Sequence, residues 1–174
     1  AFIEGDKIAC KKLLPQIPFA DEWTEVDAQN REKVTQIVLE FINQHGGAVL
    51  KYPYSAGGKG ARVIQDPADI PEVYQQLLKD FQADYKKKFK KQKWPLLIES
   101  LLTGVEISFT ALLDGNGNYR LLPTAMDYPR RFAGPPGKHN PVTGGMGSIS
   151  PHPLETPELM RLVAQQVIEP FRDL

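Results

Sequence analysis

A glycine loop set between two short apolar runs constrains this chain more than any other feature. Ala48–Tyr52 and Ala61–Ile64 have strand composition, and Ser55-Ala56-Gly57-Gly58-Lys59-Gly60 lies between them. Three glycines in four positions strip away side chains, so main-chain N–H groups can approach a ligand closely. Successive N–H groups turned inward form a concavity for anions, and Lys51 and Lys59 add two cations at its rim. A polyphosphate suits that arrangement. The loop is not a Walker P-loop, which needs Lys-Ser/Thr and a following helix, because here Gly60-Ala61 and a strand follow Lys59. Taken alone, the stretch is equally a glycine-rich surface hairpin that binds nothing.

The remaining elements follow from local signals. Asp6 caps a short helix from Lys7 to about Leu14, which puts Lys7 in a first turn where the dipole disfavours a cation unless an anion arrives. Ile17–Trp23 is apolar enough for a strand, and Asp27 is placed to cap the next helix. On that helix Val34, Ile37, Val38, Phe41 and Ile42 share one face, and Gly46-Gly47 ends it. Asp66-Pro67 starts another helix whose apolar stripe runs from Ile70 to Tyr85. Leu96–Glu99 and Val105–Leu113 read as strands, Asp114-Gly115-Asn116-Gly117 as a turn, and Asn118–Ala125 as the antiparallel return. Asp127–Pro153 reads as a long irregular loop, and Thr156-Pro157 opens the last helix.

Whole-chain properties narrow the classes. At 174 residues with zero formal net charge, the chain carries no global field to draw nucleic acid or membrane. The lysine run Lys86–Lys93, flanked by Trp94, leaves a local nucleic-acid surface open beside the simpler alternatives of a solvated helix end or a lid. One cysteine, Cys10, rules out an intrachain disulfide and a cysteine metal cluster, and cytoplasmic residence is expected. No apolar run approaches the roughly 18 residues of a membrane span. The first residue is not Met and the last helix reads as unfinished, so a piece of a longer protein is expected.

Two further stretches carry chemistry. In Leu97-Ile98-Glu99-Ser100-Leu101-Leu102-Thr103-Gly104-Val105-Glu106, Glu99 can accept from an adenine amino group, Ser100 and Leu102 can offer main-chain groups to a purine edge, and Glu106 can accept from ribose hydroxyls. A linker with incidental acids fits the same residues. Thr143-Gly144-Gly145-Met146-Gly147, with Arg130, Arg131, Lys138 and His139 upstream, reads as a second anion site or as a plain surface loop.

In this order the motifs carry a resemblance. Glu-Gly-x-Lys, then Lys with Gly-Gly-Lys-Gly, then Ile-Glu-x-x-Leu-x-Gly-x-Glu, then Thr-Gly-Gly-Met-Gly with Ser150-Pro151 resemble the ATP-grasp superfamily. Within it they are similar to the glycinamide ribonucleotide synthetases, also called phosphoribosylamine–glycine ligases. The match runs from about Phe2 to Phe171. The resemblance implies an α+β ATP-grasp fold, with a complete small lobe over residues 1–95 and the start of a larger lobe over 96–174. It implies ATP contacts from Lys7, Lys51, Gly57, Gly58, Lys59, Gly60, Glu99, Leu102 and Glu106. Asp127, Arg130, Thr143, Gly144, Gly145, Met146 and Gly147 would face glycine and phosphoribosylamine. No catalytic residue is assigned, and magnesium ligands are expected downstream of Leu174, so the isolated chain is expected to bind ATP weakly and not turn over. Asp127-Tyr128-Pro129-Arg130 stands where the family usually has Asp-His-Lys-Arg, which leaves a ligase with another acceptor as the alternative. A catalytically silent nucleotide-binding module is the other.

Overall fold

The computed structural model describes residues 5–13, 22–55, 59–90, 92–132 and 142–172. They form two compact units, divided between Thr103 and Gly104 rather than near Pro95. The later division follows from pairing: residues 95–100 form a central strand of the first unit.

That unit runs α1 (Lys7–Leu13), β1 (Trp23–Asp27), α2 (Arg31–His45), β2 (Ala48–Lys51), β3 (Ala61–Ile64), a short 3-10 turn (Pro67–Asp69), α3 (Ile70–Phe89) and β4 (Pro95–Ser100). The strands make one antiparallel sheet in the order β1-β4-β2-β3. Strand alternation sends Val26, Ala48, Leu50, Ile64, Leu96 and Ile98 to one face, where they meet Val34, Ile37, Val38 and Phe41 of α2 and Ile70, Tyr74, Leu77 and Tyr85 of α3. The α2 face and the Gly46 stop match the sequence pattern: Gly46 has φ 71° and donates to the Ile42 carbonyl. Asp66 caps as expected, accepting from the Ala68 N–H at 2.8 Å.

Asp27 does not cap α2. It ends β1 opposite Pro95, and its carboxylate accepts from the Gln29 and Trp94 N–H groups at 3.0 and 3.1 Å. Asn30 is the cap, accepting from Lys33 N–H at 3.0 Å. The strand expected from Ile17 begins, among the described residues, at Trp23.

Aromatic side chains close the far end of this core. Tyr85 stacks on Trp94 at 4.9 Å and donates its hydroxyl to the Pro95 carbonyl, while Tyr52 stacks on Phe81 at 4.3 Å. Phe89 and Trp94 both pack against the core, so the rings beside the lysine run are already engaged.

The second unit holds a short hairpin, β5 (Ala111–Leu113) and β6 (Tyr119–Leu121), then β7 (Met126–Arg130), β8 (Val142–Ile149), α4 (Pro157–Val163), a π-helical stretch (Ala164–Ile168) and α5 (Glu169–Arg172). Asp114 builds the hairpin turn, accepting from Asn116 N–H, Asn118 N–H and the Asn118 amide at 2.8–2.9 Å. The long strand expected over Val105–Leu113 is confined to residues 111–113, with one isolated bridge from Ser108 to Ala125. The loop expected over Asp127–Pro153 is instead largely the β7–β8 pair, with register Met126 opposite Ile149 and Tyr128 opposite Gly147. Glycines and prolines hid its alternation, and cross-strand pairing supplies the order. Thr156 caps α4 as expected, accepting from Leu159 N–H.

Among the described residues no helix is long and apolar enough to cross a membrane.

Candidate functional site

The second face of the sheet sets charged side chains among apolar ones. Leu97 and Glu99 on β4 and Val49 and Lys51 on β2 alternate away from the core, with Glu99 opposite Val49 and Lys51 opposite Leu97. Glu99 is 3% exposed, and burying a carboxylate costs several kcal/mol unless it is paired. Both of its oxygens are paired: Lys11 of α1 sits 3.1 Å from Oε1, and the Lys51 ammonium holds Oε2. One helix turn before Lys11, Lys7 donates its ammonium to the Ser55 carbonyl and its N–H to the Pro53 carbonyl. Asp6 caps α1 as the sequence requires, accepting from the Ile8 and Ala9 N–H groups at 3.0 Å. Two ammonium groups therefore hold one buried carboxylate, and a third, on Lys7, feels its charge while resting on the Ser55 carbonyl at the root of the glycine hairpin.

The electrostatics ask for an anion. Burial pushes the Lys7 ammonium below the ordinary lysine value of 10.5, the Lys51 charge adds to the shift, and Glu99 and Asp6 oppose it. Between the lowered value and 10.5 the unfolded chain keeps a proton that the folded chain has released, so this group's contribution to stability rises with pH across that window. Anion binding runs the other way, because it needs the charged form. Polyphosphate affinity of the full-length protein is expected to fall as pH climbs through the lowered value. Lys7→Arg, whose charge persists, is expected to flatten the fall in a calorimetric pH series. Identical pH profiles for the two proteins would count against the placement of Lys7.

The hairpin itself is built by close contact. A Cβ on Gly60 would lie 1.9 Å from Ser55 Oγ and 2.6 Å from Ser55 Cβ, so only glycine fits there. Tyr52 N–H donates to the Gly60 carbonyl at 2.9 Å, continuing the β2–β3 pairing. Arg62 fixes the returning arm, donating to the Lys59 carbonyl at 2.9 Å and pairing with Asp80 of α3 at 2.6 Å. Lys59 is exposed at the tip; Gly57 and Gly58 lie outside the described residues.

The expected nucleoside contacts fare differently. Glu99 has its carboxylate on two lysines, and Ser100 N–H is taken by the Glu22 carbonyl at 2.8 Å. Leu102 is 68% exposed, and Glu106 is an exposed residue of the second unit. In that unit the expected acceptor residues share the β7–β8 pair: Asp127 accepts from Ser108 Oγ at 2.9 Å, and Arg130 stands opposite Val142. Thr143 Oγ1 donates to the Pro129 carbonyl and accepts from Gly145 N–H, while Gly145 takes φ 120°. Gly144 and Met146 lie on the same strand, Met146 exposed, and Gly147 pairs with Tyr128.

Two residues were missed by sequence reasoning. Lys11 follows Lys7 by four, one turn along the same helix face, and that spacing was a usable signal. Arg62 had none, since its partner Asp80 is distant in sequence. A cleft of about 650 Å³ also opens beside α1, lined by Asp6, Lys12, Glu25, Tyr54 and Phe89 among others. Burial, with the Asp6 and Glu25 charges, pushes the Tyr54 phenol up, so it remains a neutral donor. Among the described residues no group of three or more His, Cys, Asp or Glu side chains could hold a metal ion.

Residues 5–173 match the family described as the phosphoribosylglycinamide synthetase ATP-grasp (A) domain. A phosphoribosylamine–glycine ligase of Leptospira interrogans is 34% identical over 176 residues, covering all of this chain and 38% of that protein. Among solved structures, a phosphoribosylamine–glycine ligase of Thermotoga maritima superposes with TM-score 0.63 at 23% identity, over 98% of this chain and 39% of that one. The biotin carboxylase domain of Hydrogenobacter thermophilus 2-oxoglutarate carboxylase, solved with MgADP, gives 0.69 at 20%, over 99% and 34%. The chain thus spans roughly two fifths of the curated relative it matches over its whole length.

Proposed function

Because the chain belongs to the phosphoribosylglycinamide synthetase ATP-grasp (A) domain family, we propose that it is the ATP-binding part of a carboxylate–amine ligase, namely a phosphoribosylamine–glycine ligase of purine biosynthesis, working in the cytoplasm. The observation that carries this is the gathering of Lys7, Lys11 and Lys51 at the root of a glycine hairpin within that family's fold. The first unit is the small ATP-grasp lobe, and the second is the start of the larger one.

In this reading the triphosphate lies along Lys7, Lys51 and the Gly57–Gly60 loop, whose main-chain N–H groups and ammonium charges offset its negative charge. A glycine carboxylate oxygen attacks the γ-phosphorus, the bond to the bridging oxygen breaks, and ADP leaves an acyl phosphate. The phosphoribosylamine nitrogen then attacks the acyl carbon, phosphate departs, and the nitrogen gives up a proton. Asp127, Arg130 and Thr143–Gly147 hold the acceptor, and Glu106 the ribose of ATP. Positioning and charge supply most of such catalysis. Magnesium belongs to this chemistry, and among the described residues no group of three or more His, Cys, Asp or Glu side chains could hold it.

The full-length protein is expected to release ADP only when glycine and phosphoribosylamine are both present, with the amide product accumulating in equal amount. ADP release with a different carboxylate and amine would support the second reading, a ligase with another acceptor, which Tyr128-Pro129 favours. ATP binding with no turnover on any pair would support a silent module.

A further inference from the structure

We infer that Tyr54 is a positioning residue that fixes Lys7 for the polyphosphate, and that Lys88, within the lysine run of α3, acts on Lys7 through the Tyr54 ring. This rests on the proposal that the protein binds ATP, and it gives a task to two residues which that reading leaves without one.

The bend Pro53-Tyr54-Ser55 grips residues 6 and 7 at three points. Lys7 N–H donates to the Pro53 carbonyl at 3.2 Å, and the Lys7 ammonium donates to the Ser55 carbonyl. Between those two carbonyls, the Tyr54 hydroxyl donates to the Asp6 carboxylate. Asp6 also caps α1 through the Ile8 and Ala9 N–H groups, so Tyr54 holds the end of the helix from which Lys7 projects. A free lysine side chain loses much rotamer entropy when a ligand orders it. A lysine already held at its main chain and at its tip meets a polyphosphate with that cost largely met.

The bend is in turn fixed from α3. The Lys88 ammonium lies 4.6 Å from the Tyr54 ring centroid and 5.9 Å from that of Tyr52, within cation–π range. Phe89 adds a tilted ring contact to Tyr54 at 5.6 Å. Tyr52 meets Tyr54 edge-on at 5.6 Å; it also stacks on Phe81 and donates its hydroxyl to Asp84 at 3.3 Å. Lys88 is thus more than a solvated helix-end charge. It rests on a ring whose hydroxyl holds the cap of the helix that carries Lys7.

Tyr54→Phe keeps the ring and removes the hydroxyl. In the full-length protein, with magnesium held constant, calorimetry gives the affinities for ATP and for tripolyphosphate. The pH dependence of Lys7 acetylation without nucleotide is read by mass spectrometry, with Lys79 as the control. Once Asp6 is no longer held, Lys7 gains solvent and a less neutralised carboxylate neighbour, and both raise its lowered pKa toward 10.5. Expected is a loss of roughly tenfold, equal for both ligands, in a variant whose thermal unfolding shows it folded. The Lys7 profile moves to higher pH and the Lys79 profile does not move. Lys88→Met is expected to cost about threefold, the size of an exposed cation–π contact, and to cost nothing more in a Tyr54→Leu background. Lys88 is exposed, so this variant serves if the tyrosine variants do not fold, with Lys88→Arg, which also stacks on rings, expected to keep wild-type affinity. A folded Tyr54→Phe with wild-type affinities, an affinity loss with the Lys7 profile unmoved, a Lys88→Met loss that is equal with and without the Tyr54 ring, or a Lys88→Arg loss as large as that of Lys88→Met overturns the inference and leaves ATP binding standing. A wild-type protein that binds neither ATP nor tripolyphosphate overturns the ATP reading; the Lys7 profile, which needs no ligand, still decides whether Tyr54 positions Lys7.

Discussion

Lys51→Met is expected to lower ATP affinity of the full-length protein by about a hundredfold, the size of one lost charge-assisted contact. The reason is double. The variant removes an ammonium from the root of the glycine hairpin, and it leaves Glu99 with Lys11 as its remaining described ion-pair partner. The buried carboxylate is then less neutralised and repels the incoming phosphates. Because Lys11 still holds one oxygen, the fold survives, and far-ultraviolet circular dichroism is expected to be unchanged. Titration calorimetry gives the affinity; a value within threefold of wild type would mean that Lys51 does not touch ATP.

The second large effect is steric. Gly60→Ala places a methyl group where Ser55 already stands, 1.9 Å from its Oγ and 2.6 Å from its Cβ. Neither atom can yield cheaply, since the Ser55 hydroxyl donates to the Tyr52 carbonyl at 3.0 Å and its own carbonyl accepts from Lys7. The alanine variant is expected to lose about 1–3 kcal/mol in urea unfolding and to bind ATP poorly, because the hairpin must open. Ser55→Gly removes both clashing atoms, leaving Tyr52 Cβ at 3.2 Å as the next contact. Ser55→Gly/Gly60→Ala should therefore recover most of the loss made by the alanine alone, a positive coupling in the double-mutant cycle. Additive losses would show that the close approach is not what requires glycine.

What the sequence made legible was local. The α2 stripe of Val34, Val38 and Phe41, the Gly46 stop, the Asp6, Asp66 and Thr156 caps and the β2–β3 hairpin each depend on residues within a turn or two of one another. What stayed hidden depends on pairing across the chain. Asp27 looked like a cap because its strand role is set by Pro95 and Trp94, far along the sequence. The β7–β8 pair looked like a loop because Gly144, Gly145, Gly147 and Pro129 erase the alternation that marks a strand, while the register still joins Met126 to Ile149. The site shows the same split. Lys7, Lys51 and Glu99 were visible as motif residues, but that Glu99 meets Lys11 and Lys51 follows only from sheet order β1-β4-β2 with α1 against its second face.

The claim that these lysines grip the phosphate tail of ATP is tested most directly by acetylation of lysines in the full-length protein, with and without ATP, read residue by residue by mass spectrometry. Expected is strong protection of Lys7, Lys11 and Lys51 by ATP and by tripolyphosphate, with Lys86–Lys88 reacting at unchanged rates. Equal reactivity of Lys7 and Lys51 at saturating ATP, or protection centred on Lys86–Lys88 instead, would contradict it.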